Sequence, residues 1–183
     1  MVITILLVLV IIKNIIIKMY IFKTPNFKQH KKKLINLIYK IPLNPLITEA
    51  EKISHQDYNL PREMNREYWK YFYKHLLPFY EQGMLKIFKH NQVKIIDMWF
   101  QIYKPKDFHL FHTHPRAHFT NVLFLQLPKK TLKTEIHLPD EKIWVPEIDE
   151  GDMITFPAYL RHQSPINDSN EDKIIISFNT DIL

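Results

Sequence analysis

From Gln92 to Leu183 the chain breaks into short runs rich in Ile, Val, Phe, Tyr and Trp, punctuated by Pro, Asp, Asn and Lys. That rhythm constrains the fold more than any other feature. The runs are Val93 to Tyr103, Leu110 to His114, His118 to Leu127, Leu132 to Leu138, Lys142 to Ile148, Asp152 to Phe156, Gln163 to Ile166 and Lys173 to Thr180. β-branched and aromatic residues between turn formers read as strands. About eight short strands in about 90 residues predict a closed antiparallel architecture, a double-stranded β-helix or jelly roll.

The first half reads differently. Phe27, Leu34, Leu37 and Ile38 fall on one helical face with lysines opposite, which predicts a helix from Phe27 to Tyr39. Pro42, Pro45 and the polar residues up to Tyr58 predict a loop. Asn59 and Pro61 signal the start of a second helix through the aromatic-rich segment Arg62 to Leu77, and Pro78 starts a third, ending near His90. The expectation is therefore an all-β core with N-terminal helices, α+β overall, divided at 1–22, 23–91 and 92–183.

Met1 to Phe22 is apolar apart from Thr4, Lys13, Asn14, Lys18 and Tyr20. A spanning helix needs about 20 such residues. Three readings stand: a membrane anchor, a β-branched strand or buried helix, and translation that properly begins at Met19. No basic leader or small-residue cleavage site suggests a signal peptide.

There is no cysteine, which excludes disulfides and thiol nucleophiles and fits a reducing, cytoplasmic setting. Only Gly83 and Gly151 are present, which excludes glycine-rich phosphate loops and the dinucleotide fingerprint. The net charge of +6 is concentrated in segments such as Lys28-Gln29-His30-Lys31-Lys32-Lys33. A solvated helix face explains them; a contact with nucleic acid or anionic lipid is the sharper alternative.

Chemistry points to histidine. His112 and His114, at i and i+2, project to one side of a strand. A third histidine returning on a distant strand, His162, would close a facial set of neutral imidazoles suited to Fe(II), Cu(II) or Zn(II), with open positions for substrate and dioxygen. Other candidates are the lone His55-Gln56-Asp57 triplet, in the loop before the second helix, and the carboxylates Glu135 and Asp152. His118, four residues past His114, is a candidate for a substrate role.

Residues 92–183 also carry a family resemblance. The matching segments are Met98-Trp99-Phe100-Gln101-Ile102-Tyr103, His112-Thr113-His114-Pro115, Gly151-Asp152-Met153-Ile154-Thr155-Phe156-Pro157 leading to His162, and Lys173-Ile174-Ile175-Ile176-Ser177-Phe178-Asn179. They resemble the iron- and 2-oxoglutarate-dependent oxygenases, closest to their small phage-type and marine-bacterial members. Ile21-Phe22-Lys23-Thr24-Pro25 is also similar to the opening of such proteins.

The resemblance implies Fe(II) held by His112, His114 and His162, with 2-oxoglutarate as cosubstrate. It departs from the family at His114, where Asp or Glu is usual. It gives Lys173, eleven positions past His162, the task of binding the distal carboxylate. Ile175 stands where a serine is usual, and alternation places Ser177 and Asn179 on the Lys173 face. Trp99, Tyr103 and Phe124 are candidate pocket residues. Two further hypotheses are a cupin-type enzyme with a His-only metal site and no cosubstrate, and a binding module that keeps the fold without catalysis.

Overall fold

The protein is described by a computed structural model covering residues 3–12, 15–89, 92–114 and 116–183. Strands β1 (Ile5–Ile12) and β2 (Ile15–Lys23) come first, then helix α1 (Phe27–Ile38). Three short strands follow: β3 (Leu46–Ile47), β4 (Glu51–Ile53) and β5 (His55–Gln56). Helices α2 (Glu67–His75) and α3 (Leu77–Phe88) lead into β6 (Val93–Tyr103), β7 (Phe108–His112) and β8 (Phe119–Gln126). The chain ends with β9 (Glu135–His137), β10 (Ile143–Trp144), β11 (Asp152–Pro157), β12 (His162–Ser164) and β13 (Lys173–Ile182).

These strands form two antiparallel sheets, the jelly roll expected from their spacing. The major sheet runs β1-β2-β11-β8-β13-β6-β5 and the minor sheet β10-β9-β12-β7-β4-β3. Alternation sorts the major sheet's side chains into two cores. Ile174, Ile176 and Phe178 of β13, with Met98 and Phe100 of β6, face Leu34, Phe72, Tyr80 and Met84 of the helices. Ile175, Phe124 and Tyr103 point the other way, between the sheets, with Ile136 and Phe156. Both faces are covered, so β13 reads as a near-continuous apolar run. Each fully buried aliphatic or aromatic side chain contributes roughly 1.5–3 kcal/mol.

The apolar N-terminus folds as a hairpin, not as a spanning helix. Ile12 pairs with Ile15, and Tyr20 to Lys23 of β2 continue onto Thr155 to Asp152 of β11. Ile17, Met19 and Ile21 enter the core between the sheets, whereas Tyr20 and Phe22 pack beneath the helices. Among the described residues no helix is long and apolar enough to cross a membrane. Period-two burial and β-branched content explain why the strand wins. Strands from the first ninety residues occupy both sheets, so the barrel does not begin at residue 92.

Two further expectations need correction. The segment from Pro42 to Tyr58 is not a plain loop, because it carries β3, β4 and β5. The second helix begins at Glu67 rather than at Asn59. The reason is Arg66, whose buried guanidinium binds the Asp57 carboxylate at 2.8 Å and donates to the Asp57, Leu60 and Pro61 carbonyls. Asp57 also accepts from the Tyr68 hydroxyl and the Phe100 amide. The 57–66 segment thus wraps around one cation, and its backbone closes isolated turns, Leu60 N–H to the Asp57 carbonyl and Met64 N–H to the Pro61 carbonyl, in place of a helix ladder.

Candidate metal centre

His112 ends β7, His114 lies two residues beyond it, and His162 opens β12, paired directly with His112. One ring nitrogen from each of the three lies within 4.8 Å of the other two. Ring centroids are 5.1 Å apart for His112 and His114, 4.3 Å for His112 and His162, and 5.1 Å for His114 and His162. The sequence-predicted set therefore converges on one point between the sheets.

Nearby carbonyls fix two of the rings. Nδ1 of His112 is 2.9 Å from the Leu110 carbonyl, and Nδ1 of His162 is 3.1 Å from that of Leu160. Each Nδ1–H donates there, which leaves Nε2 with its lone pair inward. His114 differs, because its Nδ1 lies 3.3 Å from the Asn179 side-chain amide nitrogen. Coordination through His114 Nε2 needs Nδ1 protonated, and so needs the Asn179 amide turned to present its oxygen. Burial lowers all three imidazole pKa values, that of His114 to about 4, so they are neutral donors at pH 7. Three neutral nitrogens on one side of a point suit a divalent transition metal with open positions.

A fourth histidine was not anticipated. His109 stacks on His112 with centroids 3.8 Å apart and planes 8° from parallel. Its Nε2–H donates toward the Glu51 carboxylate at 3.2 Å, and its Nδ1 lies 3.5 Å from the Gln101 amide. Burial lowers its pKa to about 3, and the neighbouring imidazoles add to the shift. Residues three apart on a strand should face opposite ways. Here β12 advances two residues, from His162 to Ser164, while β7 retreats three, from His112 to His109. That bulge reverses the parity and brings His109 to the inner side.

Behind the histidines, Lys173 is fully buried at the start of β13. Its ammonium donates to the Ser164 hydroxyl at 2.7 Å and sits 5.2 Å from the Tyr103 ring centroid and 6.0 Å from that of Phe124. Desolvation lowers its pKa to about 7, a shift Glu135 partly opposes. Ser177 lines the inner cavity and Asn179 reaches His114, as alternation along β13 expects. The hydroxyl beside the lysine comes from Ser164, across the barrel, and Ile175 stands in the wall. Ser164 stands two residues past His162 on β12, so alternation turns it to the same inner face.

The remaining candidates lie elsewhere. His118 is on the surface, near Asp181, with its Nδ1 accepting from the Ile182 amide, so it does not share the metal-facing side. His55 and Gln56 of the His55-Gln56-Asp57 triplet lie on a strand, β5, contrary to expectation, but Asp57 lies beyond it and is committed to Arg66. Asp152 pairs with Lys23 and accepts from the Asp149 amide, and Glu135 accepts from Gln163. Trp99 lines the site and stacks at a tilt on His114, centroids 5.5 Å apart.

The inner cavity measures about 20 Å³. It opens beside a cleft of about 420 Å³ lined by Leu46, Glu51, Ile53, Tyr58, Trp99 and the His109–His114 strand end.

No family model and no curated protein matches the chain. Solved structures do. A 2OG-Fe(II) oxygenase family oxidoreductase from Burkholderia pseudomallei aligns over 81% of this chain and 77% of its own, at 13% identity and a TM-score of 0.66. HygX from Streptomyces hygroscopicus, solved with nickel, 2-oxoglutarate and hygromycin B, aligns over 88% and 82%, at 7% identity and a TM-score of 0.63. A viral collagen prolyl hydroxylase from Paramecium Bursaria Chlorella virus-1, in complex with 2OG, aligns over 83% and 89%, at 19% identity and a TM-score of 0.52. At these identities the likeness is one of fold.

Proposed function

We propose that this protein is a non-haem Fe(II) oxygenase that uses 2-oxoglutarate and dioxygen. The observation that carries the reading is a buried lysine placed behind three convergent neutral imidazoles, inside a fold shared with 2OG-Fe(II) oxygenases. When bound, Fe(II) and 2-oxoglutarate supply oxidative decarboxylation coupled to oxidation of a substrate C–H bond. His112, His114 and His162 would hold the metal. Lys173, steadied by Ser164, would hold the distal carboxylate of the cosubstrate.

Charge supports this pairing. Three neutral ligands leave a divalent ion at +2, and with the Lys173 ammonium the pocket carries +3, of which a dicarboxylate of charge −2 neutralises two. The usual carboxylate ligand would leave only +1, so His114 makes the site depend more strongly on an anionic cosubstrate. An ammonium buried against a hydroxyl and two aromatic rings is costly by itself, and a carboxylate partner offsets that cost. Trp99, packed on His114, and Phe156, packed on His162, shield the imidazoles from bulk water. The inner cavity has room for about one water. A five-carbon dicarboxylate therefore reaches Lys173 only as the lining side chains give way.

The narrow cavity and the His-only ligands favour one second reading, a metal enzyme of cupin type that takes no cosubstrate. Anaerobic Fe(II) titration with and without 2-oxoglutarate separates the two. The oxygenase reading expects a weak visible charge-transfer band only when both are present. Iron binding that 2-oxoglutarate neither tightens nor colours would favour the second.

A further inference from the structure

The cleft outside the imidazoles has two walls of different chemistry. Tyr58, largely exposed, meets Trp99 edge to face at 5.2 Å, and Trp99 continues to His114. This makes one aromatic path from solvent to the metal-facing rings. Opposite it in composition is a polar path, in which Glu51 accepts from His109 and His109 stacks on His112. Leu46 and Ile53 supply apolar surface between.

The charge balance is unusual for this molecule. The chain carries 25 Lys and Arg residues and a net charge of +6. Yet among the described residues lining the cleft there is no lysine or arginine, and Glu51 is the only carboxylate. A basic surface has been locally inverted at the mouth of the site. Phosphate esters and other polyanions gain nothing there and meet a like charge.

We propose that the cleft binds a substrate bearing an ammonium group on an apolar stem, with Glu51 as its counter-ion. The inference rests on the metal-site reading above. Glu51 provides the charge, the Tyr58–Trp99 pair provides ring faces that attract a cation, and Leu46 and Ile53 accept the methylenes. A carboxylate that only bridged β4 to β7, where Glu51 is the cross-strand neighbour of His109, would need no charge. Glutamine would accept the same hydrogen bond without the cost of a half-buried anion. Partial burial already disfavours the ionised form of Glu51, and a bound ammonium would reverse that.

The test uses the full chain loaded with Mn(II) and 2-oxoglutarate under nitrogen, so that no turnover intervenes. The probes are Nα-acetyl-lysine N-methylamide, its neutral 2-aminoheptanoyl isostere with a methyl group in place of the ammonium, and n-butylammonium. Paramagnetic relaxation of probe protons reports binding near the metal. The charged lysine derivative should bind at least about tenfold more tightly than the isostere, and Glu51→Gln should abolish the difference without lowering the thermal midpoint or the relaxation of 2-oxoglutarate. n-Butylammonium binding as well as the lysine derivative identifies a small amine; weaker binding identifies a lysine side chain. Equal affinity for charged and neutral probes, or a preference that survives Glu51→Gln, overturns the inference. Failure of 2-oxoglutarate itself to be relaxed refutes the cosubstrate reading instead. The charged–neutral comparison is then decided on the metal-free chain through Trp99 emission.

Discussion

Replacing Lys173 by methionine should make the protein more stable and at the same time unable to hold 2-oxoglutarate. Lys173 is 0% exposed, and burial lowers its pKa from 10.5 to about 7. At about 1.4 kcal/mol per unit, the shift corresponds to a penalty on the order of 5 kcal/mol at neutral pH. Methionine keeps the unbranched length and removes the charge. It loses the bond to Ser164, which contributes about 1 kcal/mol. The net expectation is about 2–4 kcal/mol of added stability, or roughly 5–12 °C in thermal midpoint for a chain of this size. The pH dependence identifies the cause. The folded pKa lies below the unfolded one, so between about pH 7 and 10.5 the unfolded chain holds a proton that the folded chain has released. Wild-type stability from this group therefore rises with pH across that window. The advantage of Lys173→Met should be complete at pH 7, shrink by pH 9 and vanish above 10.5. Urea denaturation at several pH values measures it, and calorimetric titration should show 2-oxoglutarate affinity lowered by at least about 2 kcal/mol. A variant less stable than wild type at pH 7, or a gap that does not close with pH, would refute the desolvation argument. Unchanged 2-oxoglutarate affinity would remove Lys173 from the site.

Single alanine replacements of His112, His114 or His162 should each lower Mn(II) affinity by at least about tenfold, whereas His118→Ala should not change it; electron paramagnetic resonance titration checks both. His114→Asp, which supplies the anion usual in this fold, should tighten Mn(II) binding in the same assay. Burial holds His114 at about 4 and also lowers His112 and His162, so no proton is displaced by metal at neutral pH. Metal affinity should fall less between pH 7 and 6 than it would for three imidazoles at the ordinary value of 6.5; a tenfold loss over that interval would contradict this. A chain beginning at Met19 keeps the Tyr20–Lys23 pairing with β11 but loses Ile12 and Ile17 from the core. It should fold with a stability lower by about 2–5 kcal/mol, measured by urea denaturation, and an unchanged midpoint would show that the hairpin does not pack.

The jelly roll was legible because its signals are local. Strand length, β-branched content and turn residues do not depend on what the strand meets. β6, anticipated from Val93 to Tyr103, is found at those residues. Sheet membership was not local. A strand was only one of three readings of Met1 to Phe22, because an apolar run broken by Lys13, Asn14 and Lys18 also resembles a membrane span. The pairing of β2 with β11 decides between strand and span. The 57–66 segment was misread as the start of a helix because Asn59 and Pro61 carry genuine start signals. One buried arginine outcompetes them, and a long-range cation–carbonyl cluster leaves no mark in a periodicity count.

The same division runs through the site. His112 and His114 were recoverable from their i, i+2 spacing and His162 from its surroundings. His109 and Glu51 were not, and one cause accounts for both. The two-against-three step between β12 and β7 turns His109 inward, and β4 pairing then sets Glu51 beside it. Ser164, two residues past His162 on the unbulged strand, faces inward by plain alternation and meets the Lys173 ammonium. A one-residue change in register moves a side chain to the opposite face of a sheet. Had β7 been regular, His109 and Glu51 would lie outside, and the cleft would lose the only carboxylate among its described lining residues. The bulge thus separates a bare three-imidazole pocket from one with a charged mouth.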